Sequence, residues 1–437
     1  MTQAVNSTIK ARNRLWAAVG GSIRLWSTLS KSSGELVWVL AGKFALMGAN
    51  AAVMLFLAEL LDLNTYGLLV ITISGQLLIS RLLMMGVDSA MVRLTTIPEL
   101  ESRSREVVTA GLVFMAFTSA ALIGVMLLGI PVLAHFGIPS WLLPCIVAGA
   151  IGSALVDYGY SYRLARQEYP LAALAQGGTA VWRLGLTALA AVKLPRYVFA
   201  VFVAYHGASL TSGLVQTFLI PRISGLPDRR LITRLLSYSS WLGPANVIVI
   251  FSLYQGTFLL MVLNQPAETG VFGLALSFSL GFFAIYNAYS EYLSVRVRSL
   301  ENIEDLPQFI RNAMTAALIL MLACVPVIFV VWRLIPWFLG PEWLEVAPVF
   351  VYLSISMVLI IARAPLVAAS HYLLKPKLIT FEWVMQAGAV GVFGLILAPH
   401  MGATGAAIAQ LFGSALALVL LSYLVAVSWR AAAKVQD

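Results

Sequence analysis

Residues 313–332 read AMTAALILMLACVPVIFVVW, a run without a single charge, bounded by Arg311 on one side and Arg333 on the other. A bilayer core about 30 Å thick is spanned by roughly 20 apolar residues rising about 1.5 Å each, so this stretch reads as a membrane-crossing helix. It is not isolated. Hydrophobic residues make up 60% of the 437-residue chain and charged residues 11%, with a mean hydropathy of +0.89, whereas an average soluble domain is about 25% charged. A water-soluble fold is excluded. With short connections the length accommodates about twelve spans and leaves no stretch for an extramembrane catalytic domain.

The apolar runs predict helices near 36–60, 66–92, 107–134, 141–163, 171–193 and 196–220, then 235–263, 270–293, 309–333, 345–371, 377–398 and 403–429. The chain accordingly divides into a basic amphipathic tail (1–35), a six-helix lobe (36–221), a linker (222–234), a second six-helix lobe (235–429) and a short tail (430–437). Of the 28 Lys and Arg residues, 21 fall in the two tails and the even-numbered connections, three (Lys193, Arg196, Arg333) fall on the opposite side, and four (Lys43, Arg81, Arg183, Arg363) lie within helices. Short basic connections stay in the cytoplasm. The expectation is a multi-pass protein of the bacterial cytoplasmic (inner) membrane with both termini cytoplasmic.

The net charge of +9 is scattered in twos and threes between apolar runs, which serves topology and not a nucleic-acid surface. Leu15, Trp16, Val19, Ile23, Trp26 and Leu29 recur at helical spacing beside Arg14, Arg24 and Lys31, the pattern of an amphipathic helix on an anionic leaflet. Cys145 and Cys324 fall inside helices and read as small buried side chains, with no disulfide, metal or other cofactor expected. No Gly-rich phosphate loop, HExxH, CxxC or nucleophile elbow occurs, and the expectation is a non-enzyme. Tyr66-Gly67 and Phe272-Gly273 open the second and eighth helices at an offset of 206, shared by Arg105 and Arg311. Two six-helix repeats run in the same direction about an axis along the membrane normal and enclose a cleft.

A charge at the bilayer centre costs roughly 2.5–3.5 kcal/mol on insertion scales, so the four intramembrane cations must face something polar. Lys43 and Asn50, Arg81 and Asp88, Gln176 and Arg183, and Arg363 and Ser370 are each seven residues apart, which puts each pair on one helix face. Arg81, Arg183 and His206 fall near mid-membrane. Lys43, Asp88, Asp157, Arg363 and Glu382 fall toward the cytoplasmic ends. A surplus of cations suits an anionic substrate, and the Arg fork matches phosphate oxygens; in the competing reading Arg81 pairs with Asp88 while Arg183 and Arg363 lock helices together. Tyr158, Tyr160, Tyr162, Tyr286, Tyr289 and Tyr292 fit interfacial anchors, and Pro244, Pro326 and Pro365 fit hinges.

Tyr66-Gly67 with the run through Gly86-Val87-Asp88, Gly270-Val271-Phe272-Gly273, Phe338-Leu339-Gly340-Pro341-Glu342-Trp343 with Ala347-Pro348, and the run Gly402–Ala409 together resemble the polysaccharide flippases of the multidrug/oligosaccharidyl-lipid/polysaccharide exporter superfamily. The resemblance implies an all-α, MATE-like fold of two six-helix lobes around a central cationic cavity, working by alternating access. It also implies an undecaprenyl-diphosphate-linked oligosaccharide moved from the inner to the outer leaflet. Arg81, Arg183 and Arg363, helped by Lys43, are the candidate substrate-binding residues, and Asp88, Asp157 and His206 the candidates for ion or proton coupling. Expected partners are the lipid-linked oligosaccharide, membrane lipids, and a polysaccharide polymerase and chain-length regulator. The alternatives are a multidrug and toxin cation antiporter of the same fold and a non-transporting membrane scaffold.

Overall fold

The computed structural model describes residues 38, 41–95, 102–135, 139–194, 198–221, 227–297, 300, 303–373, 375 and 377–433. The amphipathic helix expected within 1–35 lies outside them. In chain order the helices are α1 (Ala41–Leu60), α2 (Leu63–Met84), α3 (Val87–Thr95), α4 (Ser104–His135), α5 (Leu142–Ala165), α6 (Tyr169–Lys193) and α7 (Val198–Phe218). The second half comprises α8 (Arg229–Val262), α9 (Pro266–Arg296), α10 (Leu306–Leu339), α11 (Val346–Ile361), α12 (Ala364–Tyr372) and α13 (Lys377–Ala433).

Ten segments among the described residues are long and apolar enough to cross a membrane. The last of them contains two crossings: 57 residues in one helix would extend about 85 Å, nearly three bilayer cores, and α13 is broken at Gly402. There φ is 54° and ψ is −135°, a conformation open to glycine and strained for other residues. Helix α6 is the remaining crossing. Its 25 residues suffice in length, and Gln176, Thr179, Arg183 and Thr187 on its buried side lower its apolarity. Among the described residues the protein is thus all-helical and multi-pass, and dividing α13 and adding α6 brings the ten segments to twelve.

The helix expected over 66–92 is two helices. Met85 (φ 44°) and Gly86 (φ 79°) turn the chain between α2 and α3, so the seven-residue spacing of Arg81 and Asp88 spans a break. A second break, at Ala362 and Arg363, separates α11 from α12 just before Pro365. Pro244 and Pro326 lie within α8 and α10, which continue through them. The segment 222–234, read as a linker, is helical from Arg229, with the Asp228 carboxylate accepting from the Arg230 N–H at 2.9 Å as an N-cap.

The lobes meet closely where α2 and α9 begin. A Cβ at Gly67 would overlap the Pro266 carbonyl, and one at Gly273 would overlap the Val70 side chain. Tyr66 packs edge-on against Trp343 at 5.1 Å. The Asp62 carboxylate caps α2, accepting from the Thr65 hydroxyl at 2.6 Å and from two backbone N–H groups at 3.1 Å, and these bonds hold it below the usual carboxylate range. At the other end Arg103 bonds Glu106 at 2.7 Å and Asp228 at 3.3 Å, tying the start of α4 to the start of α8. Two of the tyrosines tie helices together. Tyr158 is fully buried and its hydroxyl donates to the Val108 carbonyl at 2.8 Å, and Tyr289 straps α9 to α10 through the Ala313 carbonyl at 2.6 Å.

Candidate functional site

Between the lobes lies a cavity of about 430 Å³, lined from α1, α2, α3, α5, α6, α7, α8 and α9. Its charged lining consists of Lys43, Arg81, Arg183, Asp88 and Asp157. Three cations against two carboxylates leave a formal surplus of one positive charge. Polar neutral groups (Asn50, Gln76, Gln176, Asn287) share the wall with apolar ones such as Met54, Leu280 and Phe283.

The three cations are not equivalent. Arg81, at the last turn of α2, bonds the Asp157 carboxylate of α5 at 3.0 Å and lies 3.8 Å from Asp88 of α3. The break at Met85–Gly86 is what turns Asp88 back toward the arginine. Arg183 of α6 reaches Asn50 of α1 at 3.1 Å, the Ser209 hydroxyl at 2.9 Å and the Tyr205 hydroxyl at 3.4 Å, with its guanidinium 4.9 Å from the Tyr205 ring centre. It is 8% exposed, and no carboxylate among the described residues lies within ion-pair distance. An arginine whose hydrogen-bond partners are all neutral has no ion pair to break when an anion enters. Its Nε is buried with no partner.

His206 and Arg363 do not line this cavity. His206 sits one layer behind it, with Nδ1 2.5 Å from the Gln76 amide oxygen and Nε2 3.1 Å from the Thr72 hydroxyl. Both ring nitrogens are thereby occupied inside the first lobe. Arg363 is enclosed in the second lobe, 1% exposed, in an ion pair with Glu382, which is itself fully buried. Its fork also donates to Gln386 at 2.6 Å and to the Ser414 carbonyl at 2.8 Å, and it lies over the Trp383 ring. The expected four-cation cluster is therefore three cations in one cavity and one locked pair elsewhere. Sequence reading did not single out Gln76, Tyr205 or Ser209, which hold Arg183 and His206; the signal available was their polarity within apolar runs.

No family model matches this sequence, and no curated protein matches it. Solved structures do. The chain superposes on an inward-facing multidrug resistance MATE family transporter of the MOP superfamily with a TM-score of 0.70, 14% identity, and coverage of 91% of this chain and 100% of the other. It matches the lipid II flippase MurJ in an inward closed conformation with a TM-score of 0.67 and 12% identity, over 89% and 87% of the two chains. A MOP superfamily transporter from Pyrococcus furiosus, described as having a binding pocket of reversed polarity, gives a TM-score of 0.60 at 14% identity over 91% and 94%. At such identities the likeness is one of fold. The chain has the fold of the MOP superfamily transporters.

Proposed function

We propose that this protein is a flippase that carries an undecaprenyl-diphosphate-linked oligosaccharide from the inner to the outer leaflet of the cytoplasmic membrane, for surface or secreted polysaccharide. The observation that supports this reading best is Arg183: a buried guanidinium with only neutral partners, in a cavity with surplus positive charge. Arg183, with Lys43 and Arg81, holds the diphosphate, and the mixed polar and apolar wall accommodates the sugars. The closed end at Gly67, Pro266 and Gly270 corresponds to the periplasmic side and the Arg103–Asp228 end to the cytoplasm, in line with the distribution of basic residues. A MurJ-like fold handling a lipid-linked precursor, and a fold member with a pocket of reversed polarity, are consistent with an anion in this cavity. An inside-negative potential assists outward movement of an anion by about 2.3 kcal/mol per charge per 100 mV.

The test is reconstitution in liposomes with a fluorescent diphosphate-linked oligosaccharide, reading its transfer between leaflets. Transfer should occur with the intact protein and be lost in Arg183→Ala. Equal transfer by both would overturn the reading. A second reading, a cation antiporter, draws on the carboxylates Asp88 and Asp157 in the same cavity. It predicts proton-linked uptake of a cationic dye that Asp157→Asn abolishes, and no lipid transfer.

A further inference from the structure

On the membrane-facing side of the first lobe, α6 and α7 part to leave a groove of about 510 Å³. Its walls are apolar side chains turned outward: Leu171, Leu174 and Trp182 of α6 face Val215 of α7 and Leu219 just past its end, each 48–67% exposed. Gly178 forms part of the floor, and a Cβ there would meet nothing within 4 Å. From Leu171 to Trp182 the groove runs eleven residues, about 16 Å at the helical rise. That is half of a bilayer core of about 30 Å, the depth of one leaflet. Arg163 of α5 lies on its floor, bonding Gln216 at the level where Gln216 meets the Ala175 carbonyl and the Thr179 hydroxyl.

Arg163 is 9% exposed and bonds neutral groups only: Nη1 donates to the Gly159 carbonyl and to the Gln216 amide oxygen, both at 3.1 Å. No carboxylate among the described residues lies within ion-pair distance of it; Glu168, the acidic residue close by in sequence, is taken by Arg166 at 2.9 Å. The substrate cavity does not include this arginine. An elongated apolar ligand with an anionic group that reaches the floor is what this shape and charge complement.

We infer that the α6–α7 groove is a binding site for one anionic glycerophospholipid of the leaflet on the α5 C-terminal side, its acyl chain between Trp182 and Leu219 and its phosphate on Arg163. The occupant is a lipid because the walls are exposed on the outer side of the helices, and anionic because the cation on the floor has no carboxylate in ion-pair contact among the described residues. This site is independent of the transported substrate.

The experiment is native mass spectrometry of the full chain released from micelles containing equal phosphatidylglycerol and phosphatidylcholine. The intact protein should retain one phosphatidylglycerol, preferred by roughly fivefold, the size of one basic contact at an anionic surface. Arg163→Gln should reduce that preference to about one. Gly178→Leu, which fills open space and leaves the packing intact, should cut retention of both lipids several-fold while the protein remains folded; it keeps the test decisive if Arg163→Gln does not accumulate. Unchanged lipid retention in Gly178→Leu overturns the proposal, as does the absence of headgroup preference in the intact protein. A dimer that Gly178→Leu dissociates would assign the groove to a second copy of the chain, and displacement of phosphatidylglycerol by undecaprenyl phosphate would assign it to a substrate tail. Either result overturns it.

Discussion

Arg363 and Glu382 are the most thoroughly enclosed ion pair among the described residues, at 1% and 0% exposure, and their replacement singly and together has a calculable outcome. Removing one partner of a buried pair leaves an uncompensated charge and costs about 3–5 kcal/mol. Arg363→Met leaves the Glu382 carboxylate, one of whose oxygens already lacks a partner; Glu382→Leu leaves a guanidinium sharing only the neutral Gln386 and Ser414 oxygens. The double replacement removes both charges, and what remains is two acceptors that lose a donor, at about 1 kcal/mol each. Singles near 4 kcal/mol each and a double near 2 kcal/mol give a coupling of about 6 kcal/mol, far above the 0.5 kcal/mol within which independent sites add. Equilibrium unfolding in detergent micelles measures all four proteins. Additive losses would refute the pairing as the reason Arg363 is buried. So would a stable Arg363→Met protein that has lost lipid transfer, since Arg363 would then serve the substrate.

Arg183→Lys should retain measurable leaflet transfer where Arg183→Ala has none, because the charge persists while the forked contact with phosphate is lost; the apparent affinity for the lipid substrate is the readout. Gly67→Val places side-chain atoms against the Pro266 carbonyl, which is backbone and cannot yield, so the α2–α9 end should open. In a protein lacking Cys145 and Cys324, a cysteine at Val70 should then react faster with an impermeant maleimide added from that end. The Arg230 backbone N–H and then the Arg103 side chain depress the Asp228 pKa below its ordinary 3.8. A depressed carboxyl contributes stability above its unfolded pKa and loses it as pH falls through the folded one, so Asp228→Asn should be less stable than the intact protein at pH 7. That difference should shrink as pH falls below the ordinary carboxyl value and vanish once pH is below the folded-state pKa, read by thermal unfolding across pH.

The membrane fold was legible because its signal is local. Whether a segment such as 313–332 crosses a bilayer depends on its own apolarity and length, and the polar faces that join Lys43 to Asn50 and Gln176 to Arg183 follow from counting along the chain. Breaks in helices were less legible: Gly86, Gly340 and Gly402 are three among 33 glycines, and it is their positive φ that marks them out among the described residues. What the cations do was decided by tertiary structure. Arg81, Arg183 and Arg363 present similar local sequence, an arginine in an apolar helix with a polar residue seven positions away. The first meets Asp157 from another helix, the second meets only Asn50, Tyr205 and Ser209, and the third meets Glu382 within the second lobe. A buried charge takes its role from the groups that neighbouring helices bring within about 4 Å of it, and that information is absent from the sequence of its own helix.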